Sequence, residues 1–187
     1  MDKLSAAQII ERLEPPSLKG LNWIEKNARI VDMIRALQQA EDENTRVLIS
    51  DTLGRRRARS AVPALIACLD DPAIDVRCSA AESLGKIADV KAGDALLNHL
   101  LKENDLWVKA YLVFALAELD YKTAIPAILH LLDSPHERVR ENSAYALAYM
   151  MDKNEALDLL KKRLSVEQVE RVRDSLVECI TRLERET

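Results

Sequence analysis

The stretch Asp70–Asp89, DDPAIDVRCSAAESLGKIAD, places Val76, Ala80, Leu84 and Ile87 at helical spacing, so that all four share one side of an α-helix. Pro72 stands at the start of that helix, where a missing N–H costs little. A helix with one oily stripe and small flanking residues needs a neighbour to cover it. The remainder of the chain supplies neighbours by repeating the pattern.

A basic residue, usually behind Val, recurs as Arg46, Arg77, Lys109, Arg140 and Arg173, at spacings of 31, 32, 31 and 33 residues. Seven residues beyond each stands Leu53, Leu84, Leu116, Leu147 or Ile180, and eight beyond stands Gly54, Gly85, Ala117, Ala148 or Thr181. The next unit repeats the stripe as Val108, Leu112, Leu116 and Leu119. The small residue lies at the stripe's edge, where another helix can approach closely.

An apolar segment precedes each of these helices: IVDMIRALQ (30–38), AVPALIACL (61–69), AGDALLNHLL (92–101), AIPAILHLL (124–132) and EALDLLKKRL (155–164). The prolines support the register independently, since Pro63 and Pro126, like Pro72 and Pro135, are 63 residues apart. Pro63 and Pro126 fall in the first turn of the first helix of a pair, Pro72 and Pro135 at the start of the second. Ser134-Pro135-His136-Glu137 and Ser165 with Gln168 read as capping boxes.

The pattern predicts a short helix over 4–13, a break at Pro15-Pro16, a long helix over 21–40, and paired helices to the C-terminus, about eleven in all. No segment alternates with period two, so no sheet is expected. The fold class is therefore all-α: an α-solenoid of about five stacked helix pairs with an extra N-terminal helix. Residues 1–23 form the N-terminal helix and Pro-containing connection. Residues 24–187 form the repeat domain, in units of approximately 24–59, 60–89, 90–120, 121–152 and 153–187. Each pair alone exposes an apolar face that only stacking buries. Lys161-Lys162-Arg163 and the closing TRLERET, with the final helix running from about Val166 to Glu184, suit a solvent-facing end.

Composition agrees. Apolar residues make up 48% of the chain but aromatics only 4%, so the core is built from Ala, Leu, Ile and Val. A net charge of −4 offers no global attraction to nucleic acid or anionic membranes. Cys68, Cys78 and Cys179 form no CxxC, which fits a reducing compartment. MDKLSAAQII has neither a basic n-region nor a long apolar h-region, and no apolar run is long enough for a membrane span. A cytoplasmic location is expected.

The motif D-x-x-V-R-x-x-A-A-x-x-L-G-x-I, met by Asp75 to Ile87 with a shortened approach to Val-Arg, resembles the HEAT-like repeats of the phycobilisome-lyase type. The likeness extends over residues 24–185, is best over 61–89, and keeps the Leu-Gly pair elsewhere only at Leu53-Gly54. It implies a right-handed solenoid whose second helices line the concave side. It implies little about chemistry, because proteins with similar repeats include bilin lyase subunits, protein-binding adaptors, an iron-dependent hydroxylase and a DNA-repair glycosylase.

No catalytic set emerges from the residues. The hydroxylase relatives depend on several His-Glu pairs; here the dipeptide occurs once, as His136-Glu137, so no metal or other cofactor is expected. His99 and His130 stand 31 residues apart on successive first helices and read as surface or half-buried histidines. Glu82, Glu118 and Glu141 project from second helices but read as solvated carboxylates rather than acid–base catalysts. The run GRRRARS offers Arg55, Arg56, Arg57 and Arg59 as a possible nucleic-acid contact. It is short, isolated and without interleaved aromatics, and its charges complement the helix macrodipole, so nucleic acid is the lesser reading. The basic ladder from Arg77 to Arg173 is read as structural, pairing with carboxylates such as Asp75 or Asp133.

Aromatic placement is more informative. Five of the seven aromatic side chains, Trp107, Tyr111, Phe114, Tyr145 and Tyr149, lie on two adjacent second helices. Of these, Tyr111, Phe114, Tyr145 and Tyr149 point away from the apolar stripe. With Glu82, Lys86, Glu118 and Asn142 they have the composition of a protein-binding surface on the concave face. The expectation is a non-catalytic scaffold or adaptor for another protein or peptide. A bilin-lyase-like subunit binding a tetrapyrrole, implied by the resemblance alone, is the alternative.

Overall fold

The computed structural model describes residues 4–14 and 18–185. These form twelve α-helices and four short 3-10 turns, with no strand among the described residues. The chain divides into two compact units, one ending at Ala95 and one beginning at Leu96.

The N-terminal unit holds α1 (Ala6–Leu13), α2 (Leu18–Asn27), α3 (Ile30–Gln39), α4 (Glu43–Arg55), α5 (Val62–Ala67) and α6 (Ile74–Ile87). The break expected at Pro15-Pro16 lies outside the described residues. The single long helix expected over 21–40 is instead two helices. Arg29 leaves the helical region at φ −77°, ψ 149°, and its guanidinium grips Asp32, which is 1% exposed, through bonds of 2.6 and 2.8 Å. The helix restarts there, with the Arg29 carbonyl accepting the Asp32 and Met33 N–H groups at 3.1 Å each. Two helices, rather than one, thus precede the pair α3/α4. Ser5 and Gln8 form a capping box at α1 that the sequence reading did not include.

Helix α7 (Gly93–Lys102) contains the boundary, and the C-terminal unit continues with α8 (Leu106–Glu118), α9 (Ile125–Leu131), α10 (Glu137–Met150), α11 (Lys153–Val166) and α12 (Glu170–Arg185). Within it α8 packs on α10 and α10 on α12, while α11 covers α12. In the N-terminal unit α4 packs on α6 in the same manner.

The predicted stripe is the core. Val76, Ala80, Leu84, Val108, Leu112, Leu116, Leu53 and Leu147 are all buried, whereas Leu119, the last of its stripe, is half-buried where α8 ends. Pro63 and Pro126 occupy the first turns of α5 and α9, as expected. Pro72 and Pro135 precede their helices instead of opening them, because Ala73 and His136 are the N-caps.

Neither expected capping box in the C-terminal unit forms. The Ser134 hydroxyl accepts the His136 N–H at 3.3 Å, a turn outside the helix. Ser165 lies inside α11 and donates to the Lys162 carbonyl at 2.7 Å, so α12 begins four residues later than expected. Glu167 takes the vacant role, accepting the Gln168 and Val169 N–H groups at 3.1 and 3.0 Å.

Arginines of the basic ladder are structural: Arg46 pairs with Asp71 and Arg140 with Glu167, carboxylates other than the expected Asp75 and Asp133. Arg46 makes two bonds to Asp71, of 2.8 and 3.0 Å, and Arg140 makes two to Glu167, both of 2.9 Å. Each arginine also reaches back to carbonyls before its own helix: Arg46 to Glu41, Arg77 to Asp71 and Pro72, Arg140 to Ser134 and Pro135. Asp71 and Glu167 at the same time accept backbone N–H groups ahead of α6 and α12. One side chain therefore holds the turn ahead of a second helix and ties it to the second helix of the preceding pair, an arrangement local propensity does not reveal. Asp133 pairs with Arg163 at 3.1 Å.

Candidate functional site

The second helices present equivalent positions at fixed offsets from the basic ladder. Two residues past the ladder residue stand Ser79, Tyr111, Asn142 and Ser175; five past it stand Asp51, Glu82, Phe114, Tyr145 and Glu178; nine past it stand Arg55, Lys86, Glu118, Tyr149 and Arg182. The first of these rows stitches neighbouring helices together. The Ser79 hydroxyl donates to the Asp51 carboxylate on α4, and the Asn142 amide donates to the Ala110 carbonyl at 2.7 Å. Ser175 bonds the Glu141 carboxylate at 3.1 Å.

In the C-terminal unit the second row, Phe114, Tyr145 and Glu178, borders an open groove of about 730 Å³, which Arg182 of the third row also lines. Phe114 on α8, Glu141, Asn142 and Tyr145 on α10, and Ser175, Glu178, Cys179, Thr181, Arg182 and Arg185 on α12 line it. Phe114 is half-buried and Tyr145 is 39% exposed, so both rings offer faces to a ligand without being loose in solvent. The Arg182 guanidinium sits 5.5 Å from the centre of the Tyr145 ring, within cation–π range. Glu141 is held by Arg171 at 2.9 Å and Arg138 at 3.5 Å. Cys179 lies in the wall, 6% exposed, and burial pushes its thiol pKa up against the opposing pull of Arg182. Burial of this kind holds the thiol in its protonated form.

The expected surface is brought together in part. Phe114, Tyr145 and Asn142 line the groove; the Asn142 amide is committed to Ala110 and so helps hold the wall. Tyr149 follows Tyr145 by one turn of α10 and is 55% exposed, while Tyr111 is half-buried and Glu118 exposed on α8, all outside the groove lining. Glu82 and Lys86 lie on α6 in the N-terminal unit and pair with each other at 2.8 Å. Trp107 packs edge-on against His136, with ring centres 4.9 Å apart.

Residues of α12 were missed: Ser175, Glu178, Cys179, Thr181, Arg182 and Arg185. Their composition reads as a charged, solvent-facing end, yet one face of the helix is a groove wall. The signal was present in the register, because Glu178 and Arg182 stand at the same offsets from Arg173 as Tyr145 and Tyr149 from Arg140.

Elsewhere, two of the four clustered arginines are engaged within the fold. Arg56 donates to the Ala28 carbonyl at 2.6 Å, and Arg55 reaches Glu25 at 3.4 Å and the Thr52 hydroxyl at 3.1 Å. Arg57 ends α4 at φ 47° and is exposed, as is Arg59. Among the described residues no group of His, Cys, Asp or Glu is arranged to hold a metal ion. No described helix is long and apolar enough to cross a membrane.

Helix pairs at a 31- to 33-residue period, each stacking its second helix on the next within a unit, define an α-helical repeat protein of the solenoid class. The sequence profile of HEAT repeats matches residues 30–112 and 93–181, and the chain belongs to the HEAT-repeat family. Among curated proteins none matches the chain. Of solved structures, a chain of the complex of CpcE and CpcF of phycocyanin lyase from Nostoc sp. PCC7120 is similar at 24% identity and a TM-score of 0.70, over 96% of this chain and 77% of that one. A designed armadillo repeat protein in complex with the peptide (KR)4 is similar at 17% identity and a TM-score of 0.61, over 95% of this chain and 100% of that one. At these identities the likeness is one of fold.

Proposed function

We propose that the chain is a non-catalytic HEAT-repeat module that binds another protein, as an extended segment, through the face of its second helices. The observation that supports this best is the groove between α8, α10 and α12, where Phe114 and Tyr145 form an aromatic wall beside charged groups. Half-buried aromatic rings next to arginine are the side chains that dominate binding energy at protein interfaces. The fold accords with such a role, since one similar structure is a protein–protein complex and another a protein–peptide complex. Selection of a random peptide library on the immobilised chain tests the reading. Recovered peptides should bind wild type saturably and lose at least about tenfold in affinity on Tyr145→Ala or Phe114→Ala, as truncation of an aromatic hot spot does. Enrichment of no sequence, or peptides indifferent to both substitutions, would remove it.

A second reading follows from the likeness to the phycocyanin lyase complex: a lyase-type subunit whose groove takes an open-chain tetrapyrrole. The groove volume of about 730 Å³ lies in the range of small-molecule sites, roughly 300 to 1,000 Å³. Absorbance titration with a bilin separates the two, because a bound tetrapyrrole changes its visible spectrum and a protein-binding face leaves it flat.

A further inference from the structure

We infer that the groove of the C-terminal unit takes an uncharged, proline-rich segment in the polyproline II conformation, with two prolyl rings three positions apart seated against Phe114 and Tyr145. The inference rests on the protein-binding reading and adds the chemistry of the ligand.

Two observations carry it. The first is spacing. Phe114 and Tyr145 hold the same register on α8 and α10, helices that pack on each other, and both line the groove. Packed helices lie roughly 8 to 10 Å apart, so a segment crossing them meets equivalent positions at that interval. A polyproline II chain turns once in three residues and rises about 3.1 Å in each, so it presents the same face every 9 Å or so. A β-strand returns side chains to one face at about 6.6 or 13 Å. An α-helix does so at about 5.4 or 10.8 Å. Of the three backbones, polyproline II alone falls within the interval.

The second observation is polarity. The lining carries two carboxylates, Glu141 and Glu178, and two guanidiniums, Arg182 and Arg185, so its formal charges cancel. Some are engaged within the fold, Glu141 with Arg171 and Arg138, and Arg182 with the Tyr145 ring. A charge-balanced wall is complementary to a segment that carries no charge. Between the charges, the half-buried Phe114 and the 39% exposed Tyr145 offer apolar ring surface, the lining on which proline-rich segments dock. Proline brings no N–H to satisfy and leaves its carbonyl as an acceptor. The Tyr145 and Thr181 hydroxyls, without a hydrogen-bond partner among the described residues, can donate to such carbonyls. A chain already held in its extended form also loses little freedom on binding.

The test uses the full chain and two fluorescein-labelled peptides of identical composition. Ser-Pro-Ala-Ala-Pro-Ala-Ala-Pro-Ser has its prolines three positions apart, and Ser-Ala-Pro-Ala-Pro-Ala-Pro-Ala-Ser has them two apart. By fluorescence anisotropy the first should bind about fivefold or more tighter, because the second seats one prolyl ring at a time. Tyr145→Ala, at an exposed ring, should remove the preference while the helical circular dichroism stays unchanged. Phe114→Ala should do the same, and if that half-buried site fails to fold, the two peptides on wild type still decide. Equal affinities, tighter binding of the second peptide, or a preference that survives Tyr145→Ala would overturn the inference. The protein-binding reading then stands as long as peptides selected from the random library still depend on Phe114 and Tyr145. If no peptide of either kind saturates at millimolar concentration, both fall.

Discussion

The α4–α6 contact of the N-terminal unit and the α8–α10–α12 contacts of the C-terminal unit use one repeat backbone for opposite ends. In the first, small polar groups close the interface. Ser79 donates to the Asp51 carboxylate at 2.5 Å, Ser83 donates to the Ser50 carbonyl at 2.9 Å, and a Cβ on Gly54 would lie 2.7 Å from that of Ser83. In the second, the registers of Asp51 and Gly54 carry Phe114 or Tyr145 and Ala117 or Ala148, and a groove opens. The stripe that holds the helices together is common to both units. The chemistry at these registers thus diverges between the units while the buried apolar stripe stays the same.

The comparison is sharpest at the two guanidinium–carboxylate ties. Glu167 is 2% exposed and receives Arg140, Arg163 and two backbone N–H groups, whereas the Asp71 side chain is 10% exposed and receives Arg46 and one N–H. Glu167→Ala leaves the buried Arg140 uncompensated and should cost about 3 to 5 kcal/mol, against about 1 to 3 for Asp71→Ala, both read from urea unfolding. Equal losses would show that the difference in burial is immaterial.

The Glu167 pKa is lowered from 4.5 to about 2, chiefly by the Arg140 hydrogen bonds and then by the Val169 N–H and Arg163. A carboxylate with a depressed folded pKa stabilises above its unfolded pKa and loses that contribution as pH falls through the folded one. Stability should therefore drop by about 3 kcal/mol between about pH 4.5 and pH 2, over and above other groups, and Glu167→Gln should flatten that limb of the stability curve.

Leu84→Ala and Leu116→Ala probe what the two units share. Both side chains are fully buried, and each substitution should cost about 2 to 5 kcal/mol. A loss in one unit only would break the claim of a common spine. Gly54→Ala should cost about 1 to 3 kcal/mol, because the new methyl meets Ser83 backbone at 2.8 Å and forces α4 from α6. The smallest effect concerns helix ends. Arg57, Ala88 and Asp120 terminate α4, α6 and α8 at φ of 47°, 53° and 47°, a left-handed turn held without glycine. Ala88→Gly should raise stability by up to about 1 kcal/mol, visible as a higher urea midpoint.

Much of the fold was legible because helical stripes and their recurrence are properties of spacing alone. Leu53, Leu84, Leu116 and Leu147 announce a buried spine wherever the helices lie in space. The local details were less so. Arg29 interrupts what spacing reads as one helix, and Ser165 loses its expected capping role to Glu167, since the winning partners, Asp32 for the one and Arg140 for the other, are chosen by burial. The site was half legible: its aromatic half stands out against a chain poor in such rings, while Arg182 and Glu178 resemble any charged helix end.

By itself, the amino-acid order determined an all-helical repeat architecture, because apolar periodicity dictates which side of each helix must leave water. Only the tertiary structure decided which polar groups meet. A hydrogen bond or ion pair depends on ångström-scale approach between residues 25 or more positions apart, as with Arg46 and Asp71, and no local spacing encodes that approach. For the same reason the groove between Tyr145 and Arg182 exists only once α12 has docked.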